Sequence, residues 1–364
     1  MKNDFSLSRD LIQEILALVN SGQTFSDIHL EQDAAIMVKT PRGWQAFGSE
    51  PVLFDDMRPL LEAIDEDWED KIVEGAIDRP FVLTLCRLRC NVFRLSAGDK
   101  VAISIRRLPL HPPPLEKSGL PQYIRTMLEA SRGLILVTGP TGSGKTTTIA
   151  SMLDYLNANR SAHIVTIEQP IEYQLERRQS IISQKEVPTD TPSFSSGLRD
   201  ALRQKPDVIM VGEIRDYEAA DTVLHASESG HLVLATMHTN SAAGAITKLL
   251  SFFAPEQRDQ RAAGLASSLI GVICQSLVPT EDGEQFALAS ELVFNNNQQV
   301  SKFVADVDKL GMLADFMRRK EDNMSRCLNE DLAQLVQKRA ISAKDAMRAA
   351  YNRIELHEMI NSTR

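Results

Sequence analysis

The chain has 364 residues, enough for two domains with sizeable cores. With 43% hydrophobic and 24% charged residues it reads as an ordinary soluble globular protein, and sixteen prolines and eighteen glycines are too few for a low-complexity class. A formal net charge of −9 argues against wholesale nucleic-acid binding, although it leaves room for a locally basic channel.

The N-terminus, Met1-Lys2-Asn3-Asp4, meets acid at once and lacks the basic start and apolar core of a signal peptide. No run approaches the roughly 18 apolar residues of a spanning helix. The expectation is a cytoplasmic protein without transmembrane insertion, reaching a membrane through partners. Leu11, Ile12, Ile15, Leu16 and Leu18 recur at helical spacing, with Ser8 as the expected N-cap. Residues 27–30 and 35–38 read as short strands, and a second helical pattern covers Met57 to Ile64. Two strand-like runs follow, Phe81 to Phe93 and Val101 to Ile105, joined by a turn at Gly98-Asp99-Lys100. Residues 1–107 thus read as a small α+β domain.

Four prolines between Pro109 and Pro114 predict a stiff linker over residues 108–122. From Tyr123 to about residue 295 the pattern changes. Apolar runs at 134–137, 164–167, 208–211 and 232–235 alternate with helical stretches, as in a parallel sheet covered on both faces. Residues 296–364 read as helical, with Ser342-x-x-Asp345 starting the last helix. The cysteines, Cys86, Cys90, Cys274 and Cys327, form no C-x-x-C pair and no metal-ligand spacing, so reduced, buried thiols are expected.

Gly139-Pro140-Thr141-Gly142-Ser143-Gly144-Lys145-Thr146 matches G-x-x-x-x-G-K-[ST] without departure. Glycines let backbone N–H groups wrap phosphates, Lys145 puts charge on the outer phosphates, and the Thr146 hydroxyl suits Mg2+. The strand before it and the helix from Thr147 to Leu156 after it supply the confirming context. The expected ligands are ATP and Mg2+, bound by residues 139–146 and Thr147.

In a parallel sheet, ligands sit beyond the carboxyl ends of the strands. Glu168 follows the run 164–167, Glu213 follows 208–211, and His231 and His238 bracket 232–235. Two carboxylates and a histidine at one edge suit phosphoanhydride hydrolysis. One carboxylate helps hold Mg2+, another polarises the attacking water, and a histidine stabilises the γ-phosphate.

Residues 166–172, 207–216 and 229–240 resemble, in that order, the Asp box, Walker B segment and His box of the ATPases of type II secretion and type IV pilus systems. The retraction ATPases are the nearest likeness. Arg87-Leu-Arg89 and Arg106-Arg-Leu-Pro resemble their N-domain arginine segments. The resemblance implies a homo-hexamer whose subunits carry a PAS-like N-domain, a linker and a RecA-like α/β domain. It implies Glu168 as catalytic base, Glu213 in the Mg2+ region with Thr146, and His231 and His238 near the γ-phosphate. Arg87, Arg89 and Arg106 become charge-stabilising arginines, a role that planar guanidinium groups suit. The implied work is pilus retraction through an inner-membrane platform protein, with a paralogous ATPase as a possible second motor. Secretion or conjugation ATPases, a nucleic-acid translocase and a regulator without turnover are the alternatives. Three departures stand out: Gln169 where the Asp box usually has aspartate, Lys205 before Pro206-Asp207, and a likeness that fades beyond Asn295.

Overall fold

A computed structural model describes residues 9–84, 86–322 and 324–362. The chain divides into two compact units. One comprises the residues up to Leu110 with Asp282–Phe286, the other His111–Glu281 and the residues from Ala287 onward.

The first unit opens with α1 (Leu11–Asn20), capped by Asp10, whose carboxylate accepts from Gln13 N at 3.0 Å; Ser8 lies outside the described residues. Strands β1 (Asp27–Glu31), β2 (Ala35–Thr40) and β3 (Gly43–Pro51) precede α2 (Phe54–Ile64) and α3 (Trp68–Glu74). Then come β4 (Ile77–Val82), β5 (Cys86–Leu95) and β6 (Lys100–Pro109). The sheet order is β3-β2-β1-β6-β5-β4, every neighbouring pair antiparallel. Leu11, Ile15 and Leu18 of α1 and Met57 and Leu61 of α2 pack on one sheet face against Ile28, Cys90, Ile103 and Ile105. Alternation along β5 puts Cys86, Leu88, Cys90 and Val92 inside and Arg87 and Arg89 on the opposite face. All four cysteines are free, and burial pushes the Cys90 thiol up to about 12.

Three expectations need correction here. The run Phe81 to Phe93 is two strands, because the chain turns after Val82 and Leu83 N donates to Cys86 O at 2.8 Å. Alternation continues on both sides of this turn, so the pattern hides it. The turn placed at Gly98-Asp99-Lys100 lies earlier, at Ser96–Gly98, with left-handed Ser96, Ala97 and Gly98. Strand β6 also runs on to Pro109, which pairs with Cys86, taking up the first residues of the expected linker.

In the second unit α4 (Ile124–Leu128) leads into β7 (Gly133–Thr138), α5 (Lys145–Asn159), β8 (His163–Glu168) and β9 (Ile181–Glu186). Then follow α6 (Phe194–Ala201), β10 (Val208–Val211), α7 (Tyr217–Glu228), β11 (Leu232–Met237), α8 (Ala242–Ser251) and α9 (Arg258–Ser268). Strands β12 (Leu269–Pro279) and β13 (Phe286–Phe294) complete a sheet of order β13-β12-β7-β11-β10-β8-β9. The pairs from β12 to β9 are parallel. Leu134 and Leu136 of β7 face the layer of α6 to α9, and Ile135 and Val137 face α4 and α5. Burial on both faces is why these strands read as unbroken apolar runs.

The C-terminal residues form α10 (Gln298–Ala305), α11 (Met312–Arg318), α12 (Leu328–Gln337), α13 (Ala343–Ala349) and α14 (Arg353–Ser362). Val300, Val304 and Phe316 pack into the layer containing α7 and α9, whereas Leu328, Leu332, Ile341 and Leu356 form a separate cluster with Val278 and Ala289. Ser342 caps α13 by accepting from Asp345 N at 3.1 Å, so the expected start is real but belongs to the penultimate helix.

Candidate functional site

Strand β7 ends at Thr138 and the chain wraps through Gly139, Gly142 and Gly144, all at positive φ, into α5. Gly139 has no substitute: at φ 144°, a Cβ there would lie 2.3 Å from the carbonyl oxygen of Gln275. Gln275 on β12 also braces the loop, its Nε2 donating to Ser143 O at 2.7 Å. The Lys145 ammonium reaches the carbonyl oxygens of Gly139 and Pro140, both at 3.0 Å, and burial lowers its pKa. Thr146 is half-buried in the first turn of α5, and the Thr147 hydroxyl lies 2.8 Å from the Tyr173 hydroxyl. Pro140, Thr141 and Gly142 form the exposed crest of the loop, and Ser143 is buried beneath it.

The strands beside β7 bring their ends to the same edge. In sheet order β7, β11, β10 and β8 are consecutive neighbours, about 4.8 Å apart, and each delivers one charged or titratable group. A chain of polar contacts follows that order. Lys145 Nζ lies 3.4 Å from His238 Nδ1, and His238 Nε2 lies 3.5 Å from Glu213 Oε1. Glu213 Oε2 accepts from Arg215 Nε at 2.6 Å, and Arg215 Nη1 donates to Gln169 Oε1 at 3.2 Å. A protonated lysine can only donate. In the contact with a protonated Lys145, His238 Nδ1 can only be the acceptor.

Glu168 closes β8 and is 6% exposed. Its Oε1 accepts from Thr166 Oγ1 at 2.7 Å and Gln184 Nε2 at 3.0 Å. Burial pushes the carboxyl above the usual carboxylate range, against the pull of those two hydrogen bonds. Gln184 belongs to β9, the strand paired with β8. That strand escaped sequence reading because only Ile181 and Ile182 in it are apolar.

His231 is not part of this cluster. It precedes β11, at the amino end of the strand, and its Nδ1 lies 3.1 Å from Ala226 O. The six residues of β11 separate it from the edge that holds His238, a span of about 20 Å. Within one chain His231 therefore stands away from the phosphate loop, because residues that bracket a strand stand at opposite edges of the sheet. Arg87, Arg89 and Arg106 lie in the first unit on the sheet face away from the helices. Arg89 and Arg106 are cross-strand neighbours and each has an acidic partner. Arg89 Nε donates to Asp78 at 2.9 Å, and Arg106 Nε donates to Asp27 at 2.9 Å. Sequence reading missed Arg215, Gln184, Tyr173 and Gln275. Only Arg215 had a signal, its position two residues after Glu213.

A glycine loop between a strand and a helix, with carboxylates on neighbouring strand ends of a parallel sheet, defines a nucleotide-binding α/β protein. Residues 85–361 match the Type II/IV secretion system protein family, and the chain belongs to it. The chain is 40% identical over 290 residues to the uncharacterized protein YggR of Escherichia coli K12, covering 78% of this chain and 86% of that one. It is 37% identical over 279 residues to the type IV pilus retraction ATPase PilT of Pseudomonas aeruginosa PAO1, covering 76% and 80%. It superposes on the crystal structure of the pilus retraction motor PilT with bound ADP at a TM-score of 0.80 and 37% identity, over 96% and 99% of the two chains. The chain is an ATPase of this family.

Proposed function

We propose that this ATPase works as a homo-hexameric motor that powers pilus retraction, cytoplasmic and held at the inner membrane through a platform protein. The observation that carries this reading is the likeness over nearly the whole chain to a pilus retraction motor. Among the described residues no helix is long and apolar enough to cross a membrane, so force would pass through a partner. On this reading the first unit is a PAS-like domain and the second a RecA-like domain. Arg87, Arg89 and Arg106 would act on nucleotide charge, Arg89 and Arg106 only after leaving Asp78 and Asp27.

Residues 139–147 would hold the phosphates of ATP. Glu168 would be the general base: a buried carboxyl with a raised pKa takes a proton from water more readily than an ordinary one. Lys145 would leave its loop carbonyls for the outer phosphates, releasing His238 to meet the γ-phosphate. The donors fit Mg2+, because the Thr146 hydroxyl and the Glu213 carboxylate are hard oxygen ligands of the kind it takes beside phosphate oxygens. Bound there, Mg2+ would neutralise charge that develops on the phosphates.

The test compares ATP hydrolysis by wild-type protein and Glu168→Gln, with hexamer content measured on the same samples. Expected is hydrolysis by wild-type hexamers that falls by about 10²- to 10⁴-fold in the variant, with ATP still bound. Hydrolysis near the wild-type rate in Glu168→Gln would remove Glu168 as base. Monomeric wild-type protein with full turnover would remove the ring motor. The matched family also covers secretion systems. Loss of export, with pili still retracting, in a strain lacking this gene would move the protein to that task.

A further inference from the structure

Gln169 stands directly after the proposed base, where the resembling ATPases usually have aspartate, and none of the roles assigned above uses it. Its Oε1 accepts from Arg215 Nη1 at 3.2 Å, while Arg215 Nε holds Glu213 Oε2 at 2.6 Å. The guanidinium also lies 5.6 Å from the centroid of the Phe194 ring. One arginine is thus gripped from the ends of β8 and β10 and from α6. Its planar fork can serve two acceptors at once, with a geometry that a lysine lacks.

The charges make the glutamine meaningful. Glu213 divides its oxygens: Oε2 is on Arg215 and Oε1 faces His238. A neutral amide at 169 gives Arg215 a second acceptor without a second negative charge, so Glu213 keeps the arginine. An aspartate at 169 would present a rival carboxylate to the same guanidinium.

We propose that Arg215 is a positioning residue of the ATP site, and that Gln169 assigns it to Glu213, fixing which carboxylate oxygen is left for a divalent cation. The inference rests on the ATPase reading and on Glu213 lying in the Mg2+ region. It predicts that this chain demands more free Mg2+ than its Gln169→Asp variant, because a guanidinium offsets the charge of the carboxylate that receives the metal.

The test uses the full-length protein and a fluorescent ATP analogue carrying a methylanthraniloyl group. The free Mg2+ concentration that gives half-maximal analogue binding is measured, a readout independent of turnover. Gln169 and Arg215 are both exposed, so the substitutions should leave the fold intact. Arg215→Gln should lower the half-saturating Mg2+ by about two- to fivefold, the range for a half-exposed ion pair, and Arg215→Lys, which returns the charge but not the fork, should restore the wild-type value only in part. Gln169→Asp should lower it similarly, but not in the Arg215→Gln background, because its effect runs through the arginine. An equal effect of Gln169→Asp with and without Arg215 would overturn the proposal, as would an unchanged Mg2+ demand in Arg215→Gln. Wild-type protein that binds no analogue at any Mg2+ concentration would instead overturn the ATPase reading.

Discussion

The two edges of the parallel sheet carry the same residue type to different ends. His238, one residue beyond β11, stands between Lys145 and Glu213, whereas His231, one residue before it, rests near a backbone carbonyl. At the carboxyl edge four adjacent strands put their groups into one line of polar contacts. The amino edge has a cavity of about 310 Å³ lined by Arg132, Glu228 and Asn295, with none of the residues that match the nucleotide motifs. Strand direction separates them: in parallel strands every carboxyl end points one way, so residues that follow strands converge and residues that precede them cannot join.

The largest expected effect is at the phosphate loop. Lys145→Ala should reduce ATP hydrolysis by about 10²-fold or more, measured at saturating nucleotide. A loss below tenfold would take the loop out of the chemistry and blur the contrast between the edges. The next effect is on pH. Glu168 must be ionised to act as base, and its pKa is raised by burial, so hydrolysis should fall as pH drops through that raised value, by about tenfold per unit below it. Because the folded state disfavours the charged carboxyl, the acid limb should begin above the usual carboxylate range. An acid limb confined to that range would mean that another group is titrating.

The histidines test the comparison directly. His238→Ala should weaken binding of the fluorescent ATP analogue by about tenfold, the loss of one charge-assisted hydrogen bond, and His231→Ala should leave it within about twofold. Equal losses would erase the distinction drawn between the strand ends. The smallest effect is on stability. Glu168→Gln removes a carboxylate that the fold disfavours in its charged form. At neutral pH it should raise unfolding free energy by on the order of 1 kcal/mol, read by urea denaturation. Wild-type protein carries that penalty in full above the raised pKa and sheds it progressively as pH falls from there to the ordinary carboxylate pKa, below which both states are protonated. The advantage of the variant should therefore vanish in acid.

Much of the site is legible in the sequence. The loop 139–146 is a local motif, since its glycines answer a local backbone demand. The strands β7, β8, β10 and β11 were visible because burial on both faces makes them continuous apolar runs. Strand β9, with more polar residues than apolar ones, hid in the same text although it supplies Gln184 to the proposed base. In the first unit, alternation marked Phe81 to Phe93 as strand, but could not show that the chain folds back between Val82 and Cys86.

The residues by themselves determined that a phosphate loop, two strand-end carboxylates and a histidine occur in this chain, because each belongs to a short segment with its own backbone logic. Only the tertiary structure decided their company. The order β7-β11-β10-β8 differs from chain order, and that order lines Lys145, His238, Glu213, Arg215 and Gln169 into one row. It also sent His231 to the far edge and brought Gln275 from β12 under the loop. Sequence spacing fixes which residues end a strand; which strands lie side by side depends on burying both faces of the sheet, a property of the whole unit.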